Sequence, residues 1–62
     1  MPTIRVEMFE GRTPEQKKNL VKALTQAAAD ALGSKPDSVD VILYDIKKSD
    51  WATGGELWSE KK

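Results

Sequence analysis

TPEQKKNLVKALTQAAADALG, residues 13–33, is the stretch that decides the fold. Thr13 offers a capping hydroxyl, Pro14 suits the first helical position, and Gln16 stands where a reciprocal side-chain cap is needed. Leu20, Val21, Leu24, Ala27, Ala28, Ala31 and Leu32 recur at three- and four-residue spacing, while Lys17, Lys18, Lys22, Gln26 and Asp30 cover the remainder. Gly33 supplies the left-handed stop. The spacing predicts an amphipathic helix of about 18 residues.

Outward from the helix the period falls to two. Thr3 to Met8 alternates, with Ile4, Val6 and Met8 on one face and Thr3, Arg5 and Glu7 on the other. Glu10-Gly11-Arg12 ends that strand. After the turn Ser34-Lys35-Pro36-Asp37, the run from Val39 to Ile46 is rich in β-branched and aromatic residues and reads as a second strand. Strand, helix and strand make a right-handed βαβ unit with parallel strands and the helix across one face. In the tail from Lys47 onward, Gly54-Gly55 ahead of Glu56-Leu57-Trp58 predicts a turn or hairpin reaching a neighbouring subunit. The expected class is α/β (α+β), one domain over residues 1–62 with no internal repeat or linker.

Such a unit cannot stand alone. At 62 residues, a single core supplies no more than about 3 to 5 kcal/mol, and a two-stranded sheet is marginal. The second strand carries Val39, Val41 and Leu43 on one face and Ile42, Tyr44 and Ile46 on the other, of which one helix covers one. With no Cys and no His, disulfides are impossible and a zinc site is not expected. Self-association remains, and a symmetric homo-oligomer is the expected state. Ten basic residues balance ten acidic ones without a block of either sign, so neither a nucleic-acid nor a membrane-surface partner is expected. The Lys61-Lys62 end is too short to alter that. With no membrane-spanning or signal-like apolar run, a soluble cytoplasmic protein is the expectation.

With no His and no Cys, a terminal proline is one of the few groups in this sequence able to accept a proton near neutrality. Pro2 follows Met1, and removal of Met1 would expose a secondary amine. Ordinary α-amino groups titrate at about 7.7 to 8.0, and burial or nearby cations lower that value by disfavouring the charged form.

Met1-Pro2, the alternating first strand, Glu10-Gly11-Arg12, Thr13-Pro14-Glu15-Gln16-Lys17, Ser38-Val39, Val41-Ile42 and Gly54-Gly55-Glu56-Leu57 together resemble 4-oxalocrotonate tautomerase, across essentially the whole chain. The chain is similar to the short-chain branch of the tautomerase superfamily. The resemblance implies βαβ protomers assembled as hexamers from dimers (a trimer of dimers), with no metal or organic cofactor. It implies that Pro2 acts as general base and then general acid, moving a proton between carbon and oxygen of a dienol or an unsaturated 2-oxo acid. It gives Arg12 the role of receiving a substrate carboxylate, often across a subunit boundary, a task that suits a bidentate and permanently charged guanidinium. Trp51 falls where the family usually has a phenylalanine that makes the site apolar.

One position departs from the family pattern. Where the relative acting on 2-hydroxymuconate has a second arginine after the Ser-Val pair, this chain has Asp40. Charge reversal should repel a dianionic substrate, so the expected substrate is a different acid, such as a monocarboxylate held by Arg12 alone. Three other readings stand beside this one. Asp40 or Asp50 activates water in hydratase-like or dehalogenase-like chemistry with Pro2; the chain is a non-catalytic subunit; or it is one member of a hetero-oligomer. Structural readings remain too: Asp40 as a surface carboxylate paired with Arg5 or Lys35, Arg12 as a solvated turn residue, Trp51 as core or interface filler, Trp58 as interface packing only, and Tyr44 as structural.

Overall fold

Thr13 and Gln16 form the reciprocal cap that their spacing predicts. The Gln16 N–H donates to Thr13 Oγ1 at 3.1 Å and the Thr13 N–H to Gln16 Oε1 at 3.0 Å, starting the helix α1 (Pro14–Leu32). Gly33 ends it at φ 66, and its N–H, with that of Ser34, donates to the Ala29 carbonyl. Only glycine takes this backbone without a Cβ penalty. Thr13→Ala should therefore cost about 1 kcal/mol, read as a lower denaturant midpoint at fixed protein concentration.

The computed structural model describes residues 2–61. The fate of Met1 and the last residue of the Lys61-Lys62 pair lie outside them. Strands β1 (Thr3–Phe9) and β2 (Asp40–Ile46) flank α1 and pair in parallel, with Thr3 opposite Asp40 and Phe9 opposite Ile46. Partners in a parallel ladder point to the same side. Ile4, Val6 and Met8 thus share one face with Val41, Leu43 and Asp45, while Thr3, Arg5, Glu7 and Phe9 share the other with Asp40, Ile42, Tyr44 and Ile46. Lys17 identifies the helix side by its ion pair with Asp45. That pairing corrects the placement of Lys17 among the residues that only cover the helix surface.

Past β2 the chain makes a one-turn 3₁₀ segment at Lys48–Asp50 and a hairpin of β3 (Ala52–Thr53) and β4 (Glu56–Leu57), then a last 3₁₀ turn at Trp58–Glu60. Gly54 and Gly55, at φ 63 and 83, form its two-residue loop. The hairpin anticipated from the glycine pair is thus present, and the βαβ unit with parallel strands is the observed architecture.

Among the described residues the protomer has little interior. Ala29 is buried among the described residues, and Leu32, assigned by its spacing to the packed stripe, is 65% exposed. Ala27 and Ala31 are exposed as well. The stripe is wider than the surface one short sheet can cover. The unit is a slab of 43 × 25 × 14 Å with a radius of gyration of 14.7 Å, against about 10.6 Å for a compact chain of this length. Its accessible surface is 4882 Å², where a compact monomer of its mass exposes about 4000 Å². The face of the sheet away from α1 presents Ile42, Tyr44 and Ile46 without a covering element of its own beyond the hairpin end. These dimensions are those of a piece of an assembly.

Candidate active site

Pro2 and Asp40 meet where the two parallel strands begin. The Asp40 N–H donates to the Pro2 carbonyl at 2.9 Å, one step ahead of the Thr3 and Asp40 pairing. A βαβ crossover brings this about, because it returns the chain to the end of the sheet at which β1 began. Pro2 is half-buried and Asp40 exposed. Asp40 does not pair with Arg5 or Lys35. The register sets Arg5 beside Ile42, and the ion pair among the described residues is that of Lys17 with Asp45. Among the described residues the exposed Asp40 side chain has no ion-pair partner.

Arg12 stands at the other end of the sheet. Seven residues of β1, at about 3.3 Å each, put more than about 20 Å between it and Pro2. It lines an open pocket of about 310 Å³ with Val6, Met8, Gln16, Lys17 and Leu20. Val6, Met8 and Leu20 give it apolar walls beside Gln16 and Lys17, and Lys17 is held by Asp45. Arg12 has no such ion pair among the described residues. The Thr13 and Gln16 cap begins at the next residue, which steadies the backbone that carries the guanidinium.

Trp51 shares that end of the sheet but lies on the face away from α1. Its ring meets Phe9 at 4.6 Å between centroids and 56° between planes. On the same Phe9 ring sits Trp58, at 5.4 Å and 59°. Trp58 therefore has partners within its own chain, which corrects its assignment to interface packing only. Phe9 is the residue that joins the two indoles. It extends β1 one residue past Met8, and its place in the series Thr3, Arg5, Glu7, Phe9 was the available signal.

A single protomer thus joins Pro2 with Asp40 and holds Arg12 and Trp51 apart from them. Among the described residues no group of three or more His, Cys, Asp or Glu is placed to hold a metal ion, and no helix is long and apolar enough to cross a membrane.

The family model for the tautomerase enzyme matches residues 2–61. The chain belongs to the tautomerase family. This tautomerase is 37% identical over 60 residues to the 2-hydroxymuconate tautomerase of Bacillus subtilis (strain 168), covering 97% of each chain. Among solved structures, a 4-oxalocrotonate tautomerase homologue superposes with a TM-score of 0.90 at 44% identity, over 100% of this chain and 98% of the other. A heterohexamer 4-oxalocrotonate tautomerase from Chloroflexus aurantiacus J-10-fl matches with a TM-score of 0.94 at 35% identity over 100% of both chains. Tautomerases are isomerases, and the resemblance, the βαβ fold and the enzyme class expected from the sequence are those of the family.

Proposed function

We propose that this tautomerase moves a proton between oxygen and carbon of an unsaturated 2-hydroxy or 2-oxo acid, using Pro2 freed of Met1. The prolyl nitrogen takes the hydroxyl proton as the oxygen lone pair collapses to a carbonyl. The displaced π electrons shift along the chain to a terminal carbon, which takes the proton back from the prolinium. One group serves as base and then as acid, with no net consumption of anything. The observation that carries the reading is the half-buried Pro2 at the open end of the sheet, in a chain matched to the family over nearly its whole length.

Arg12 anchors the substrate carboxylate, and Trp51 supplies the apolar wall that keeps the amine poorly hydrated. Both reach Pro2 from other copies of the chain, since one copy separates them by the length of β1. A homohexamer, built as a trimer of dimers, satisfies this need and covers the exposed apolar face in the same step. Neither metal nor organic cofactor enters the reaction.

Arg12→Ala tests the anchor. Loss of a charge-assisted bidentate contact should raise KM about 30-fold or more, with kcat less affected. Mixing separates a shared site from a private one. Neither Pro2→Ala nor Arg12→Ala assemblies should turn over well, whereas the two chains co-refolded in equal amounts should regain about a quarter of wild-type activity. Sites assembled at random draw an intact Pro2 half of the time and an intact Arg12 half of the time. No recovery in a mixed assembly of native mass would show that both residues act from one chain.

The exposed Asp40 beside Pro2 favours a monocarboxylate substrate over a dicarboxylate. The same observation supports a second reading, in which Asp40 activates water for addition to an unsaturated acid while the prolinium donates the proton to carbon.

A further inference from the structure

We infer that Trp58 is a positioning residue that sets the Trp51 ring through Phe9 and so fixes the apolar wall of the site. The inference rests on the reading of Trp51 as that wall.

The hairpin has little to hold it by itself. β3 and β4 contribute two residues each, and so short an antiparallel pair is unstable in water. Trp58 ties it down at three points. Its backbone N–H donates to the Trp51 carbonyl at 2.8 Å. Its indole N–H donates to Thr53 Oγ1 at 2.9 Å. Its ring packs on Phe9, which belongs to the ladder and is followed by the Glu10 N–H bond to the Ile46 carbonyl at 2.9 Å. Phe9 is therefore the fixed member of the cluster, with one indole at each of its two tilted contacts. Tilted aromatic pairs have an energetic preference for their geometry beyond burial, so each ring restrains the next.

Trp58 is also the outer member. It is 37% exposed, and Lys61 lies over it with its ammonium 4.2 Å from the ring centroid. Trp58 is thus placed between solvent and the contact that orients Trp51. Removing its ring takes away the packing on Phe9 and the hydrogen bond to the Thr53 hydroxyl together. Trp51 then gains rotational freedom, and water reaches the surface it covers.

The test uses the assembled enzyme and four variants: Trp58→Ala, Trp58→Phe, Thr53→Val and Trp51→Ala. The first two leave Trp51 as the sole tryptophan of the chain, so emission reports its surroundings directly. Trp58→Ala should red-shift that emission relative to Trp58→Phe and raise its quenching by acrylamide. It should lower kcat about tenfold with a smaller change in KM, and move the acid limb of kcat/KM upward, because a better-hydrated amine holds its proton more tightly. Trp58→Phe and Thr53→Val should show a similar loss, smaller than that of Trp58→Ala, since both remove one hydrogen bond and keep the ring packing.

An assembly of native mass with unchanged emission, quenching and pH profile in Trp58→Ala would overturn the inference. Should Trp58→Ala not assemble, the matched pair Trp58→Phe and Thr53→Val decides: a shared kinetic loss supports the latch, and wild-type behaviour in both refutes it. Trp51→Ala keeps the two readings apart. If it is silent, the wall itself is wrong; if it is damaging while the Trp58 variants are silent, the positioning role alone fails.

Discussion

Pro2→Ala should leave the assembly intact and lower kcat/KM about 100-fold. General acid and base catalysis is worth about 10²- to 10⁴-fold, and alanine after Met1 removal retains an amine, so the lower end applies. What the substitution takes away is direction. The pyrrolidine ring locks the bond between nitrogen and Cα and points the lone pair one way, while a primary amine rotates among orientations. A chain that keeps Met1 offers an amide nitrogen at Pro2, which cannot accept a proton near neutrality, and should approach the full loss of about 10⁴-fold. Intact mass and steady-state kinetics on the same preparations give both comparisons. Wild-type turnover by Pro2→Ala, or by protein shown by mass to retain Met1, would remove the proline from the mechanism.

Asp40→Arg should raise kcat/KM for 2-hydroxymuconate by two to three decades, with a much smaller change for a monoacid such as phenylenolpyruvate or 2-hydroxy-2,4-pentadienoate. Two unit charges 4 Å apart at an effective dielectric of about 20 interact by about 4 kcal/mol, and about 1.4 kcal/mol is a factor of ten in rate. Reversal replaces a repulsion of the distal carboxylate by an attraction, so even a heavily screened contact gives the expected decades. The backbone N–H of Asp40 holds its place on the Pro2 carbonyl, and the exposed side chain has no ion-pair partner among the described residues, so the fold should tolerate the change. A wild-type preference for the dicarboxylate would end the selectivity argument. Asp40→Asn separates this from the water-activating reading: it should ease dicarboxylate turnover slightly in the first case and abolish hydration of an unsaturated acid in the second.

Much of the fold was legible because it is local. The cap at Thr13 and Gln16, the stop at Gly33 and the loop at Gly54-Gly55 are each set by a few neighbouring residues whose backbone needs are specific. Alternation in Thr3–Met8 gave the strand faces for the same reason. The ion pair of Lys17 with Asp45 was not legible, since it depends on the rotation of α1 about its own axis over the sheet. Nor was the cluster of Phe9, Trp51 and Trp58, which forms because the hairpin folds back onto the end of β1. Ala29 lies outside the apolar stripe and is nevertheless the one buried residue among those described, where the chain turns back at the end of α1.

By itself the sequence determined the order and type of the elements, the need for further copies, and the residues able to carry the chemistry, because periodicity, capping and titration range belong to short stretches and single side chains. Only the tertiary structure decided which of those residues meet. Parallel strands begin at one end of a sheet, so Pro2 and Asp40 become neighbours across the ladder. Strand rise carries Arg12 and Trp51 to the other end, on opposite faces. That separation is a matter of distance and direction through space, which no short stretch of sequence contains.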